Sequence, residues 1–350
     1  MSEVVPPLSQ ILPRHKLRQQ LHISSVNMLN DCGQRFLYRY VLGKRRPPSA
    51  FLLVGTAVDA SVDQDLTHKI ETGDLLPRED VLGIAAARFE ADKESEPIDL
   101  EPEEKGKSLE EVLGAAKDKA VDLAGLHHDI PAPQIQAVQT KRKFSIDMDT
   151  FLRTRARQMH EEADRTADKY AAKLLDSQAR SLNAAAREGM DFVGEQDIVE
   201  RFEIAGDGPD RLVLVIRDTK TSAKSPTPSI LDGAEKSGTA DDSEQLTAYA
   251  VASHVIDDKL PDYMVLDYLV KTNAKTPTLK YVATKTQRSM DDVNVFLNRF
   301  ANAVHALRTG VFVPANQSWW GCSQRWCGYY DICPYAKRPK LVQITTEPPQ

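Results

Sequence analysis

Three charged residues in the second half of the chain have the types and spacing that phosphodiester hydrolysis needs. Asp197 begins one predicted strand, and Asp218 and Lys220 end the next, across a predicted hairpin loop at 205–210. Residues two apart on a strand share a face, so Asp218 and Lys220 can converge, with Asp197 at the same end of the hairpin. Carboxylates suit Mg²⁺ or Mn²⁺, and the carbonyl of Thr219 is a further candidate ligand. A metal ion held there would activate water, and the lysine could stabilise developing charge.

An Asp-x-Lys sequence is common, and taken alone it indicates a charged strand end that faces water. Two further pairs of residues favour a functional site. Gln245 and Tyr249 are four residues apart on a predicted helix and therefore share a face. Upstream, a helix predicted to begin near Gly55 carries an ionisable residue, Asp59, at its fifth position.

In this order the motifs resemble those of the RecB-type nucleases of the PD-(D/E)xK superfamily. That group includes the nuclease domains of RecB and AddB and the CRISPR-associated RecB-like exonucleases. Its motifs are G-x-x-x-H, G-x-x-D, D-x-K and Q-x-x-x-Y, and the matching residues here are Gly55 with Asp59, Gly194 with Asp197, Asp218 with Lys220, and Gln245 with Tyr249. The resemblance covers roughly residues 23–60 and 190–336.

The resemblance implies a fold and a set of roles. The fold would be α/β, with a restriction-endonuclease-like core in which helices flank a central mixed sheet. Asp197 and Asp218 would bind Mg²⁺ or Mn²⁺, with Asp59 as a third ligand. Lys220 would be the catalytic cation. The pair formed by Gln245 and Tyr249 would position the DNA strand or the Lys220 region.

The chain departs from the family pattern at two places. Asp59 stands where the family has histidine; an aspartate can bind a hard cation such as Mg²⁺, or it could mark a weakened site. Residues 150–190, predicted as one or two long charged helices, replace what is usually a short connection. We expect solvated helix there, with a lid, a partner surface or a brace as alternatives.

The four cysteines have an unusual distribution, with Cys32 alone and Cys322, Cys327 and Cys333 close together. A zinc finger pairs its ligands locally, and cysteines this far apart are more often buried apolar residues. Iron–sulfur members of the RecB-like family have one cysteine before the first motif and three near the C-terminus. The resemblance therefore implies a 4Fe–4S cluster on all four thiolates, although the gap before Cys327 is longer than in the family. Zinc and no metal are the alternatives.

Composition limits the other readings. The chain has 350 residues, 41% hydrophobic and 27% charged, enough to form a core in one large domain or two. A net charge of −6 argues against passive coating of nucleic acid. Basic stretches at 44–46, 141–143 and 337–340 are each best interpreted as a solvated turn. Because no apolar run could span a membrane and no signal peptide is evident, we expect a cytoplasmic protein with reduced thiols.

The elements that must position these residues follow from periodicity. A first helix with an apolar stripe contains Cys32, and further helices are predicted over 243–256 and, strongly amphipathic, around 293–307. Strands are predicted at 135–138, 144–148, 197–204, 212–216, 263–270 and 279–284. The predicted organisation is a flexible leader (1–22), a RecB-like domain (23–336) with helical insertions at about 74–130 and 150–190 and an iron–sulfur segment at 319–336 joined to Cys32, and a polar tail (337–350).

The sequence therefore predicts a metal-dependent DNA nuclease, an exonuclease acting on single strands or DNA ends. Its setting would be DNA repair, recombination, or mobile-element or CRISPR-type DNA processing, where it could have protein partners in a DNA-processing complex. The alternative is a catalytically weak DNA-binding or assembly subunit that keeps the fold and the cluster.

Overall fold

The structure is a computed structural model. It describes residues 20–100, 104, 106–186, 189–204, 211–226, 229–231, 234–236, 240–273 and 275–336. The predicted hairpin loop (205–210), the polar tail with its basic stretch (337–350) and most of the predicted leader (1–19) lie outside these residues. Among the described helices, none combines the length and apolar character needed to cross a membrane.

A mixed sheet forms the centre of the protein. Its strands are β1 (Gln20–Leu21), β2 (Ala137–Asp147), β3 (Asp191–Ile204), β4 (Arg211–Ser222), β7 (Tyr263–Lys271) and β8 (Leu279–Thr286). Strands β5 (Ser229–Leu231) and β6 (Ala234–Lys236) form a separate hairpin. The long strands lie in the order β2, β3, β4, β7, β8, with β4 and β7 parallel and the other neighbours antiparallel. Strand β1 pairs with the start of β3, so residues 20 and 21 of the predicted flexible leader (1–22) belong to the sheet.

Helices cover both faces of this sheet. They are α1 (Ile23–Asp31), α2 (Gly33–Phe36, continued by a π-helical turn at Leu37–Val41), α3 (Ala50–Thr72), α4 (Arg78–Ser95), α5 (Leu109–Asp129), α6 (Met148–Arg165), α7 (Lys169–Ala185), α8 (Glu244–Ile256) and α9 (Met290–Thr309). Several begin at side chains that accept a backbone N–H, which is the usual signal for a helix start: Ser108, Asp147, Asp168, Ser243 and Ser289.

Two apolar cores lie on opposite faces of the sheet, because successive strand residues point to opposite sides. In β3, Ile198 belongs to the core formed with α3, α4 and α5, whereas Val199 belongs to the core formed with α1 and α6 to α9. The predicted α/β fold, a mixed sheet flanked by helices, is confirmed.

The insertion formed by α6 and α7 is more than solvated helix. One face of each helix joins the main core through Leu152, Met159, Ala179 and Leu182, all fully buried. Helix α7 also packs against α9. Of the alternatives considered, a structural brace agrees best with this packing.

Several predicted boundaries were wrong. Residues 135–138 and 144–148 are not two strands separated by a basic turn, because one strand, β2, runs through 141–143. Asp197 lies within β3, six residues after its start. Helix α3 begins at Ala50, before Gly55. Cys32 lies in an extended break between α1 and α2 and not inside a helix.

Candidate active site

The hairpin of β3 and β4 brings the predicted carboxylates together. Ile198 pairs with Arg217, which places Asp197 and Asp218 next to each other on adjacent strands. Their side chains interact directly, and Asp218 is fully buried. Gly194 leaves space for the Phe144 ring of β2 to pack on β3, since a Cβ at residue 194 would lie 2.5 Å from that ring.

Asp218 and Lys220 are part of a hydrogen-bonded network that reaches α8. Lys220 Nζ lies 2.6 Å from Asp218 Oδ2 and donates to Gln245 Oε1 at 2.8 Å. Gln245 Nε2 donates to Asp218 Oδ1 at 3.0 Å and to Tyr249 Oη at 2.7 Å. The structure therefore brings together four of the residues singled out in the sequence.

The surroundings of Asp218 are unfavourable for a charged carboxylate. Burial raises the pKa of Asp218 well above its ordinary value, Lys220 opposes this rise, and nearby Asp197 adds to it. Although Lys220 makes an ion pair with Oδ2, that oxygen is buried and accepts no hydrogen bond of normal geometry from the residues that the structure describes. A buried oxygen with unused lone pairs beside a second carboxylate is the type of donor that a hard cation binds.

A lysine that sequence reasoning assigned to a solvated turn lies in the same site. Lys141 Nζ is 2.5 Å from Asp59 Oδ1, 3.3 Å from Asp197 Oδ1 and 3.8 Å from Glu195 Oε1. Burial would lower the pKa of Lys141, but Asp197 and Asp59 outweigh it and the pKa lies above its ordinary value. The position of Lys141 beside Asp197 depends on the pairing register of β2 with β3, which the sequence does not contain.

These residues line one open cleft. Asp59, Asp197, Asp218 and Lys220 lie in its wall with Thr219, whose buried hydroxyl has no hydrogen-bond partner within the described part of the chain. The oxygen donors suit Mg²⁺ or Mn²⁺ by their chemistry. As arranged, however, the described residues hold no group of three or more His, Cys, Asp or Glu side chains that could bind a metal ion.

A second buried network, which the sequence did not reveal, fixes α8 against the sheet. Arg142 donates to Asp257 through both terminal nitrogens at 2.9 Å and to Gln196 Oε1 at 2.6 Å. Gln196 donates to the Tyr249 carbonyl at 2.8 Å and to the Ser253 hydroxyl at 3.0 Å. Adjacent residues of β2 therefore have different partners. Lys141 contacts the carboxylates of the cleft, and Arg142 holds α8, the helix that carries Gln245 and Tyr249.

The four cysteines line one small cavity, which is also lined by Gln34 and Arg35 of α2. Cys32 and Cys333 are buried, and Cys322 and Cys327 are half-buried. Burial raises the pKa of the Cys327 thiol, and the neighbouring thiols of Cys32 and Cys333 add to the effect while Arg35 opposes it. Thiolates are the donors that an iron–sulfur cluster or zinc binds, but as placed in the described part of the chain no three of these thiols form a group that could hold a metal ion.

Comparison with known proteins identifies the family. The sequence model of the PD-(D/E)XK nuclease superfamily matches residues 20–334, which include every residue of the predicted site and all four cysteines. No curated protein matches the sequence. A crystal structure described as a "Putative exonuclease" from Eubacterium rectale aligns over 92% of this chain and 93% of that chain, with 10% identity and a TM-score of 0.43, a similarity too low to support a functional conclusion. Because the family match covers most of its length, the chain belongs to the PD-(D/E)XK nuclease superfamily.

Proposed function

We propose that the chain is a metal-dependent DNA nuclease whose active site is the cleft between α3 and the β3–β4 hairpin. The observation that carries this proposal is the network of Asp218, Lys220, Gln245 and Tyr249 beside Asp197. In this proposal the carboxylates and the lysine that the superfamily uses act together in one cleft.

In this proposal Asp197 and Asp218 hold Mg²⁺ or Mn²⁺, with Asp59 and the Thr219 carbonyl as further ligands. The bound ion would neutralise the scissile phosphate and make water easier to deprotonate. Lys220, 37% exposed, orients the attacking water and stabilises charge on the phosphate. Gln245 fixes both Lys220 and Asp218, and Tyr249 fixes Gln245.

We propose DNA single strands or ends as the substrate. Phe51 and Leu52, at the start of α3, line the cleft and are 52% and 54% exposed. An exposed aromatic ring at a nuclease cleft can stack on an unpaired base without sequence preference. Leu52 also lines an adjoining cleft with four exposed arginines, of which Arg46 is paired with Asp99 and the others are candidates to contact phosphates: Arg39, Arg45 and Arg325.

The cysteine cavity, we propose, holds a 4Fe–4S cluster with a structural role. A cluster on Cys32 and the three C-terminal cysteines would clamp α2 to the segment 319–336. The arginine-lined cleft borders both parts, so the clamp would also shape the DNA path. We further propose that the chain belongs to the iron–sulfur RecB-like branch and that it acts in the cytoplasm, in DNA repair, recombination or mobile-element and CRISPR-type processing.

One observation favours a second candidate, a DNA-binding or assembly subunit with weak catalysis. Lys141 already compensates the charges of Asp59 and Asp197, and such a pairing could keep a metal ion out. A subunit of this kind would bind DNA through the same arginines but leave it uncut.

The two candidates separate in a cleavage assay with end-labelled linear single strands, linear duplexes and circular single strands. A nuclease acting on ends shortens the linear strands progressively with Mg²⁺ or Mn²⁺, spares the circles, and stops when the metal is chelated. Cleavage of circles would indicate an endonuclease. Tight binding of the linear strands with no cleavage at any metal concentration would contradict the proposal and favour the DNA-binding subunit.

A further inference from the structure

Lys141 has a backbone conformation that is unusual inside a strand. Its φ is +47°, in the left-handed region, where L-residues other than glycine are disfavoured. The residues on either side keep the ladder in register, with Thr140 opposite Ile198 and Arg142 opposite Gln196. A strained residue in an otherwise regular strand persists only when its surroundings fix it, and such residues concentrate at functional sites.

The contacts of the side chain identify what fixes it. Lys141 Nζ bridges Asp59 at 2.5 Å and Asp197 at 3.3 Å, with Glu195 at 3.8 Å. Only 22% of the side chain is exposed. The second lysine of the site, Lys220, contacts Asp218 instead. The carboxylates are therefore divided between two ammonium groups, one on each side of Asp197.

We propose that the Lys141 ammonium is a built-in cation that takes the place of a second divalent ion between Asp59 and Asp197. The site would then bind one divalent ion, on the side of Asp197 that faces Asp218. This inference rests on the proposed nuclease function. In this arrangement Asp59 holds the Lys141 ammonium and is not a ligand of the divalent ion, which replaces the ligand role proposed for Asp59 above.

Three physical points support the assignment. Many nucleases hold two divalent ions about 4 Å apart, one near each reacting oxygen. An ammonium has one positive charge, forms short contacts with carboxylate oxygens and stays in place whatever the metal concentration. The Lys141 side chain reaches Asp59 of α3 from β2, so its charge lies between two of the elements that form the cleft.

The test counts bound Mn²⁺ ions by electron paramagnetic resonance and calorimetry, with no DNA present. The variants are Lys141→Met, which removes the charge and keeps the stem, and Lys141→Gly, which also relieves the left-handed backbone. Lys143→Met, an exposed lysine two residues along the same strand, is the matched control. Thermal melting of each metal-free protein is recorded alongside.

The wild type and Lys143→Met should bind one Mn²⁺ per chain, and both Lys141 variants should bind two. Cleavage by the Lys141 variants should fall at least tenfold at low Mn²⁺, recover at high Mn²⁺, and depend on the metal with a Hill coefficient near two. Lys141→Gly should melt at a higher temperature than Lys141→Met, because only the methionine keeps the strained backbone.

Two ions bound by the wild type, or one ion bound with unchanged affinity by the Lys141 variants, would overturn the inference and leave the proposed function intact. Absence of Mn²⁺ binding in every protein, with no DNA cleavage, would instead overturn the proposed function and the inference with it.

Discussion

Asp218 combines full burial with a neighbouring carboxylate, so its charged form is costly in the metal-free protein. Such a residue lowers stability in exchange for function. Lys220 compensates part of this negative charge, but its side chain is 37% exposed, so its ammonium group remains partly hydrated. The cost therefore belongs mainly to Asp218, and a neutral residue of the same shape should remove it.

Asp218→Asn should abolish cleavage and at the same time stabilise the metal-free protein. We expect a gain of about 1 kcal/mol in the free energy of unfolding, typical of relieving strain at a functional site. Urea denaturation in the presence of a chelator measures the gain, and the cleavage assay measures the loss. A marked decrease in stability would mean that the carboxylate is a structural partner of Lys220 and Gln245.

At this scale the sequence predicts residues within short motifs and misses those whose position depends on long-range packing. Asp218 and Lys220 were identified because a two-residue spacing fixes their common face. Lys141 was missed because its left-handed backbone breaks that alternation, and its contact with Asp59 depends on where α3 crosses the sheet. Local patterns contain no information on either point.

Among the elements, α8 depends most on buried polar contacts for its position. The salt bridge between Arg142 and Asp257 and the amide of Gln196 tie it to β2 and β3. The arginine is 6% exposed, so its partners would be left buried and unpaired if it were removed. Its effect on the site is indirect, through the placement of Gln245.

Arg142→Met should destabilise the protein by about 3–5 kcal/mol, the cost of breaking a buried ion pair by removing one partner. Cleavage per folded molecule should also fall, since α8 would no longer hold Gln245 against Lys220. Arg201, which also contacts Asp257 but is exposed, provides the control: Arg201→Met should cost about 1 kcal/mol or less. Equal losses in the two variants would contradict the role given to Arg142.

Asp262 stabilises the junction of β4 and β7 in a pH-dependent way. Burial would raise the pKa of Asp262, but hydrogen bonds from the Leu214 amide, Lys259 and Arg211 lower it to about 2. Because the folded pKa is below the unfolded value of about 3.9, this stabilisation is present above pH 4 and is lost as the pH falls toward 2.

Asp262→Asn should therefore cost about 1–2 kcal/mol at neutral pH, from the lost hydrogen bonds to a charged group. The difference from the wild type should shrink as the pH falls from about 4 to about 2. Urea midpoints measured at several pH values give this difference directly. A difference that stays constant over that range would show that the carboxylate charge contributes nothing at this junction.

For the whole molecule, the cysteine cavity links the two ends of the described chain. Cys32 comes from the break between α1 and α2, and the other thiols come from the segment after α9. The break exists because Gly33 packs on the backbone of residues 312 and 313, where a Cβ would lie 2.7 Å from Phe312. The helical pattern of the sequence predicted Cys32 inside a helix. The pattern could not reveal the break, because the contact of Gly33 with residues 312 and 313 joins segments that are far apart in the sequence.

Replacing any one cysteine by alanine should lower both iron content and thermal stability, starting from about four irons per chain in anaerobically purified protein. A bond that closes so long a loop removes much of the entropy of the unfolded chain, and metal binding becomes part of the folding free energy. Iron analysis and thermal melting check this. Stoichiometric zinc without iron, or full iron retention in Cys32→Ala, would contradict a shared cluster.

The most direct test of the account is cleavage of end-labelled single-stranded DNA by Lys220→Met, compared with the wild type and with Lys143→Met at the same Mg²⁺ concentration. Lys220 is the charged group of the site that can reach the substrate, and its loss should leave the fold intact because the side chain is partly exposed. We expect the rate to fall about 10²–10³-fold while the protein stays folded, with a lower melting temperature because Asp218 loses the ion pair that compensates its buried charge, and we expect Lys143→Met to cut normally. Cleavage by Lys220→Met at the wild-type rate would show that this cleft is not the active site.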